Sequence, residues 1–133
     1  MRILIIEDDQ SMAKLIQDIL KTFGGWKLTT VIAGNLSAAL REIGSVDGVL
    51  CDGLFPVGPG FEPGAYWRCV WSEAEEKHIP FVLVSGDDSC LEAAKTFGVP
   101  ALRKPFNVQE LFALVSREVE RGKAKLLRPE QPA

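Results

Sequence analysis

A short apolar run ends on a carboxylate in the segment Asp47-Gly48-Val49-Leu50-Cys51-Asp52. The glycine- and proline-rich residues 53–60 follow and break the run at once. This pattern predicts a buried strand that places Asp52 at its carboxyl end. In open α/β sheets, ligands and chemistry collect at the carboxyl edge of the strands. We therefore expect Asp52 to be a functional residue.

The rest of the chain alternates between strand-like and helix-like patterns. Besides the strand that ends at Asp52, β-branched and apolar runs predict strands at residues 2–6, 26–33, 81–84 and 99–103. Helical spacing of apolar residues predicts a helix after each strand, with Asn35, Ser89 and Asn107 as N-terminal caps of the second, fourth and fifth. Five strands that alternate with five helices indicate the α/β class, a doubly wound five-stranded parallel sheet of (βα)5 form.

Composition and charge narrow the class of protein. The chain has 133 residues, 47% of them hydrophobic, which fits one globular domain. A net charge of −3 argues against a chain-wide basic surface for nucleic acid. No apolar run approaches the roughly 20 residues of a membrane span, and the N-terminus does not resemble a signal peptide. The three cysteines are widely spaced, which indicates reduced thiols in a cytoplasmic protein.

Polar side chains follow four of the predicted strands. Right-handed crossovers would bring these strand ends to one edge of the sheet. Three carboxylates gathered there would repel one another, so we expect a cation among them, and hard oxygen ligands favour Mg²⁺. An ammonium and a hydroxyl beside them would suit a phosphoryl group. The residues concerned are Glu7, Asp8, Asp52, Ser85 and Lys104.

Over residues 2–121 the chain resembles the receiver domains of two-component response regulators, of the chemotaxis-receiver type. Four motifs carry the resemblance, in the family's order and at strand ends: Glu7-Asp8, Asp52 with Pro56 and Gly60 downstream, Ser85-Gly86, and Lys104-Pro105-Phe106. The resemblance implies a flavodoxin-like fold with strand order 2-1-3-4-5. Residues 1–121 would form the receiver domain, and the basic, proline-bearing composition of residues 122–133 predicts a polar C-terminal tail or the stub of a linker.

The resemblance implies a role for each site residue. Asp52 would be the phosphoacceptor, receiving a phosphoryl group from a histidine kinase or a histidine phosphotransfer protein. Ser85 would hydrogen-bond the phosphoryl oxygen, and Lys104 would pair with it.

The metal ligands implied by the resemblance come from the two strands that end in carboxylates. Asp8 and Asp52 would hold Mg²⁺ directly, and Glu7 mostly through water. The backbone carbonyl of Leu54 would be a further ligand. The neighbouring Asp9 is assigned to capping the first helix instead.

Four features depart from the family pattern. Ala101 stands where receivers usually carry a switching aromatic residue, so the signal would pass through the loop after Ser85 or through the last helix. Leu54 stands where a polar residue often places the hydrolytic water. The loop of residues 57–64 is unusually rich in glycine and proline, and the interval from Ser85 to Lys104 is short.

The sequence therefore predicts a signalling receiver, which would catalyse only its own phosphorylation and dephosphorylation. It would act on an unknown downstream protein by contact, without binding nucleic acid or membrane. One alternative is a pseudo-receiver, a binding module that works without phosphorylation. A less favoured alternative is a Mg²⁺-dependent phosphohydrolase with an aspartyl nucleophile, which would need a second carboxylate at the position that Leu54 occupies.

Other conspicuous residues have structural interpretations. Cys51 is expected to be a buried, inert strand residue rather than a redox sensor. His78 is expected in a surface turn opposite the active edge. Trp67 and Trp71 share one face of the third helix, and we assign them to the core.

Overall fold

A computed structural model describes residues 2–24, 29–33, 35–53 and 65–127. Within these residues, each predicted strand and helix is present. The strands are β1 (Arg2–Ile6), β2 (Thr29–Ala33), β3 (Gly48–Asp52), β4 (Phe81–Ser85) and β5 (Ala101–Arg103). The helices are α1 (Gln10–Gly24), α2 (Leu36–Glu42), α3 (Ala65–Glu76), α4 (Asp88–Phe97) and α5 (Val108–Leu127), and a short 3₁₀ turn (Ile43–Ser45) follows α2.

The strands form one parallel sheet in the order β2-β1-β3-β4-β5, which confirms the predicted fold and strand order. Strand β3 lies in the middle, with Ile6 of β1 beside Cys51 and Val84 of β4 beside Asp52. Strands β1, β3 and β4 are buried along almost their whole length, and a strand covered on both faces requires an apolar composition. Asp52 is thus the last residue of the central strand.

Helices cover both faces of the sheet. Successive residues of a strand point to opposite faces, so Val49 and Cys51 join one core cluster and Leu50 joins the other. The first cluster packs under α2, α3 and α4, and the second under α1 and α5. Cys51 is fully buried, as predicted for a structural cysteine.

The aromatic residues of α3 divide between the core and its border. Trp67 is buried and stacks on Phe81, with ring centroids 6.4 Å apart, which confirms its assignment to the core. Trp71 is only partly buried, and its ring tilts against the half-exposed Phe97 at 5.7 Å. The prediction therefore holds for Trp67, whereas Trp71 lies at the edge of the core and contacts α4 through Phe97.

His78 occupies the turn between α3 and β4, at the amino edge of the sheet, as predicted. Its φ of 58° lies in the left-handed region that usually favours glycine. The backbone N–H of Ile79 donates to the carbonyl of Ala74 at 2.8 Å and closes the end of the helix. This position is remote from the carboxyl edge where the acidic residues lie.

Two helix ends differ from the sequence prediction. Asp87, not Ser89, caps α4, because its Oδ2 accepts from the backbone N–H of Cys90 at 3.0 Å. Helix α5 continues past the predicted boundary at residue 121 and ends at Leu127. Gly122 weakens a helix by only about 1 kcal/mol, and no proline follows before Pro129, so nothing in residues 122–127 ends the helix.

The predicted caps of the other helices are observed. Asn35 accepts from the N–H of Ala38 at 2.8 Å, and Asn107 accepts from the N–H of Gln109 at 2.7 Å. Among the described residues, no helix has both the length and the apolar character that crossing a membrane requires.

Candidate functional site

Three carboxylates meet at the carboxyl edge of the two central strands. Glu7 and Asp8 follow β1, and Asp52 ends the neighbouring β3. One oxygen atom from each lies within 4.8 Å of the other two. Glu7 is buried, Asp52 is half-buried and Asp8 is exposed, so the cluster opens toward solvent on the side of Asp8.

Lys104 brings a positive charge to this cluster from the far side of β4. Its Nζ lies 3.1 Å from Glu7 Oε2 and 3.5 Å from Asp52 Oδ2. Its backbone N–H donates to the carbonyl of Ser85 at 2.9 Å, which fixes the start of its side chain beside β4. The peptide bond from Lys104 to Pro105 is cis. The ammonium of Lys104 therefore forms ion pairs with two carboxylates, those of Glu7 and Asp52.

The pKa of Glu7 is raised from 4.5 to about 7, first by burial and then by the negative charge of Asp52. The ammonium of Lys104 and the N–H of Asp9 oppose this rise without cancelling it. Ionised Glu7 is therefore incompletely neutralised by the protein's own groups. A divalent cation among the three carboxylates would supply the missing positive charge.

The three carboxylates are of the ligand type that Mg²⁺ prefers. All three groups are hard oxygen ligands, and Mg²⁺ is usually held by one or two carboxylates, with water filling other positions. Exposed Asp8 and half-buried Asp52 leave one side of the cluster open to such waters. Leu54, whose carbonyl was predicted as a ligand, lies outside the described residues, as does the loop of residues 57–64.

Ser85 lies at the end of β4, on the side of Asp52 away from β1. The side chain is fully buried, and its Oγ accepts from the backbone N–H of Asp87 at 3.1 Å. A hydroxyl that accepts one hydrogen bond retains its own hydrogen for donation. Ser85 therefore brings a buried hydroxyl to the strand end next to Asp52.

Asp9 and Asp87 cap helices. Asp9 Oδ1 accepts from the N–H of Met12 at 3.1 Å, which confirms the assignment of Asp9 to the start of α1. Hydrogen bonding, first of all from the N–H of Cys90, lowers the pKa of Asp87 and keeps it ionised as the cap of α4.

Gly53 is a site residue that the sequence analysis missed. A Cβ at this position would lie 3.0 Å from Ser85 Oγ and 3.1 Å from Cys90 Sγ, so no larger residue fits without displacing them. A glycine directly after a strand carboxylate is a known sign of close backbone approach. That sign was present in the sequence beside Asp52.

Tyr66 also lies closer to the site than its sequence position indicates. The residue is in the first turn of α3 and is buried. Burial raises the pKa of Tyr66 above its ordinary value, and the nearby Cys51 and Asp52 add to this effect. Ala101 lies in β5 opposite Leu83, half-buried against the first core cluster.

No protein-family model matches the chain, but individual relatives do. It is 26% identical over 124 residues to the chemotaxis protein CheY of Pseudomonas aeruginosa, covering 91% of this chain and 98% of that protein. It is 31% identical over 126 residues to the transcriptional regulatory protein TcrA of Mycobacterium tuberculosis, covering 91% of this chain. The chain spans about half of TcrA, 47% of its length.

A solved structure shows the same fold. The CheY-like response regulator receiver domain protein of Methanospirillum hungatei superimposes with a TM-score of 0.73 over 93% of this chain and 97% of that one, at 18% identity. The strand order, the full-length match to CheY and this superposition agree with one another. The chain is similar in sequence to CheY-like receiver domains and has their fold.

Proposed function

We propose that this receiver accepts a phosphoryl group on Asp52 from a histidine kinase or a histidine phosphotransfer protein. The observation that carries the proposal is the position of Lys104, whose ammonium lies 3.5 Å from Asp52 and 3.1 Å from Glu7. A cation held beside a half-buried carboxylate stabilises the negative charge that a phosphoryl group would bring. Ser85, at the end of the neighbouring strand β4, adds a buried hydroxyl.

The proposed step is a transfer between two nucleophiles. A carboxylate oxygen of Asp52 attacks the phosphorus of a phosphohistidine, so that the O–P bond forms as the P–N bond breaks. The imidazole nitrogen leaves with the electron pair of that bond and takes up a proton from solvent. Lys104 pairs with the phosphoryl oxygens, and the hydroxyl of Ser85 donates to one of them. Attack by water on the phosphorus later breaks the new O–P bond, releases inorganic phosphate and restores the carboxylate.

Asp8 and Asp52 are the residues that would hold Mg²⁺ directly, with Glu7 acting mainly through water. When bound, the ion offsets the charge of the carboxylates and of the incoming phosphoryl group. The proposed assignment of Leu54 as a backbone ligand rests on the family resemblance. The assignment of Glu7, Asp8 and Asp52 is supported by the short distances between their carboxylate oxygens.

The signal would pass by protein contact to a downstream partner in the cytoplasm. In this proposal residues 1–121 form the receiver, and residues 122–133 extend from it by way of the end of α5. Its chemistry would be limited to its own phosphorylation and dephosphorylation.

The test is to incubate the protein with Mg²⁺ and acetyl phosphate and to measure the intact mass. We expect one phosphoryl adduct on the wild type and none on Asp52→Asn. Asp18→Asn is a matched control, since Asp18 is an exposed carboxylate on α1 that pairs with Lys14, and it should form the adduct as the wild type does.

Other outcomes would contradict the proposal. An adduct that persists in Asp52→Asn would place the acceptor elsewhere. Absence of an adduct with acetyl phosphate and with a phosphorylated histidine protein would favour a pseudo-receiver that binds its partner without phosphorylation. Repeated turnover of unrelated phosphoesters would favour a phosphohydrolase.

A further inference from the structure

The connection between β4 and α4 is very short. Strand β4 ends at Ser85 and α4 begins at Asp88, so only Gly86 and Asp87 lie between them. The first turn of the helix therefore lies directly beside the residue that follows the acceptor. Within that turn, Cys90 is 5% exposed and belongs to the first core cluster.

The thiol of Cys90 contacts the backbone of Gly53. Its Sγ lies 3.5 Å from the carbonyl oxygen of Gly53, at a distance where a thiol donates a weak hydrogen bond. The backbone N–H of Gly53 donates to the carbonyl of Val84 at 3.1 Å. Gly53 is thus held both by β4 and by Cys90.

A continuous set of hydrogen bonds joins this contact to Ser85. The N–H of Cys90 donates to Asp87 Oδ2 at 3.0 Å, and the N–H of Asp87 donates to Ser85 Oγ at 3.1 Å. Cys90 therefore holds the peptide beside the acceptor through its side chain, and through its backbone it holds the residue that orients the hydroxyl of Ser85.

The Cys90 thiol keeps the proton that it needs to donate a hydrogen bond. Burial raises the pKa of Cys90 above its usual value, and the nearby Asp87 adds to this effect, so the sulfur keeps its proton at neutral pH. A buried, protonated thiol is a poor nucleophile, which argues against a redox role and in favour of a structural one.

We propose that Cys90 is a positioning residue for phosphoryl transfer to Asp52. Its thiol fixes the Gly53 carbonyl, and with Asp87 it sets the distance between the acceptor and the hydroxyl of Ser85. The inference rests on the proposed function, since it concerns the same site. It also makes the first turn of α4 the element that would respond to the phosphoryl group, in a chain whose β5 carries Ala101 in place of an aromatic residue.

Three substitutions separate hydrogen bonding from packing. Cys90→Ser keeps a donor, Cys90→Val keeps approximately the volume without a donor, and Cys90→Ala removes both. The measurement is the initial rate of phosphoryl adduct formation with Mg²⁺ and acetyl phosphate, alongside thermal unfolding to confirm that each variant is folded. We expect Cys90→Ser to stay within about two-fold of the wild type, and Cys90→Val and Cys90→Ala to be slower by about three- to ten-fold.

Two outcomes of the rate measurements would overturn the role of Cys90. Wild-type rates in Cys90→Val would overturn the inference, because volume alone would then suffice. Equal slowing in all three variants would also overturn it, since restoring a donor would have no effect. A wild type that takes no adduct from any donor overturns the proposed function and this inference together, whereas a reactive wild type with unaffected variants overturns the inference alone.

A measurement on the wild type applies even if a variant fails to fold. Nuclear magnetic resonance follows the amide signals of Gly53 and Cys90 as Mg²⁺ and beryllofluoride, a mimic of the phosphoryl group, are added. We expect both signals to move together with that of Ser85. A Cys90 signal that stays unchanged while Ser85 moves would contradict the coupling.

Discussion

At the scale of single residues, the site is defined by an imbalance of charge. Glu7 is buried beside Asp52, and Lys104 is the cation that both contact. The sequence placed these groups at strand ends, and the structure brings them within ion-pair distance. It could not be predicted from the sequence that Lys104 would pair more closely with Glu7 than with Asp52, because that depends on how the side chain crosses β4.

The raised pKa of Glu7 predicts a pH dependence of stability in the metal-free protein. The folded state binds the proton of Glu7 more tightly than the unfolded state, so between about pH 4.5 and pH 7 this residue makes the free energy of unfolding fall as pH rises. We expect a loss of about 1 to 3 kcal/mol over that window. Urea unfolding in the presence of a chelator measures it.

Glu7→Gln is the comparison for this prediction, because the amide has no proton to lose in the window. The difference in stability between wild type and Glu7→Gln should shrink or reverse as pH rises from 4.5 to 7. A difference that does not depend on pH would show that Glu7 titrates normally in the folded protein.

Gly53 leads to a prediction about packing. In Gly53→Ala the new methyl group would lie 3.0 to 3.1 Å from Ser85 and Cys90, so these side chains must shift by a few tenths of an ångström. Overpacking of this kind costs about 1 to 3 kcal/mol of unfolding free energy. Gly44→Ala is the matched control, because a Cβ there meets nothing within 4 Å, and it should change stability by less than about 0.5 kcal/mol. Equal effects of the two substitutions would contradict the close approach.

At the scale of secondary-structure elements, hydrophobic periodicity predicted which elements exist, and local capping signals predicted where some of them begin. The caps at Asn35 and Asn107 were predicted correctly, and each accepts a hydrogen bond from a backbone N–H in the first turn of its helix. For α4, Asp87 and Ser89 both have suitable side chains. Helix α4 begins at Asp88, before the start that the Ser89 cap predicted. Its first turn packs against Gly53 through Cys90, and this tertiary contact is not visible in the local sequence.

The start of α4 can be tested by removing each cap. Asp87→Ala deletes the side chain that accepts from the N–H of Cys90, so the melting temperature should fall by about 3 to 6 °C. Ser89→Ala leaves that hydrogen bond in place and should have a clearly smaller effect. A larger loss in Ser89→Ala would indicate that the helix begins at Ser89, as the capping-box pattern predicts.

At the scale of the whole molecule, topology explains why the sequence was informative. Parallel strands with right-handed crossovers bring every carboxyl end to one edge, so residues from 7 to 104 in the sequence share a site without any long-range signal in the sequence itself. The spacing of apolar residues does not predict how closely two elements pack, so the contact between Gly53 and Cys90 could not be predicted from the sequence. The extension of α5 to Leu127 was likewise missed, because a basic segment near a terminus resembles a tail by composition.

The most direct test of phosphoryl transfer is to locate the group on the chain. After incubation with Mg²⁺ and acetyl phosphate, wild-type protein is digested under conditions that preserve acyl phosphates, and the modified peptide is fragmented. We predict modification of Asp52 alone, and none when a chelator replaces Mg²⁺. A phosphoryl group on Asp8, Glu7 or His78, or equal modification of Asp52 without Mg²⁺, would contradict the proposed chemistry.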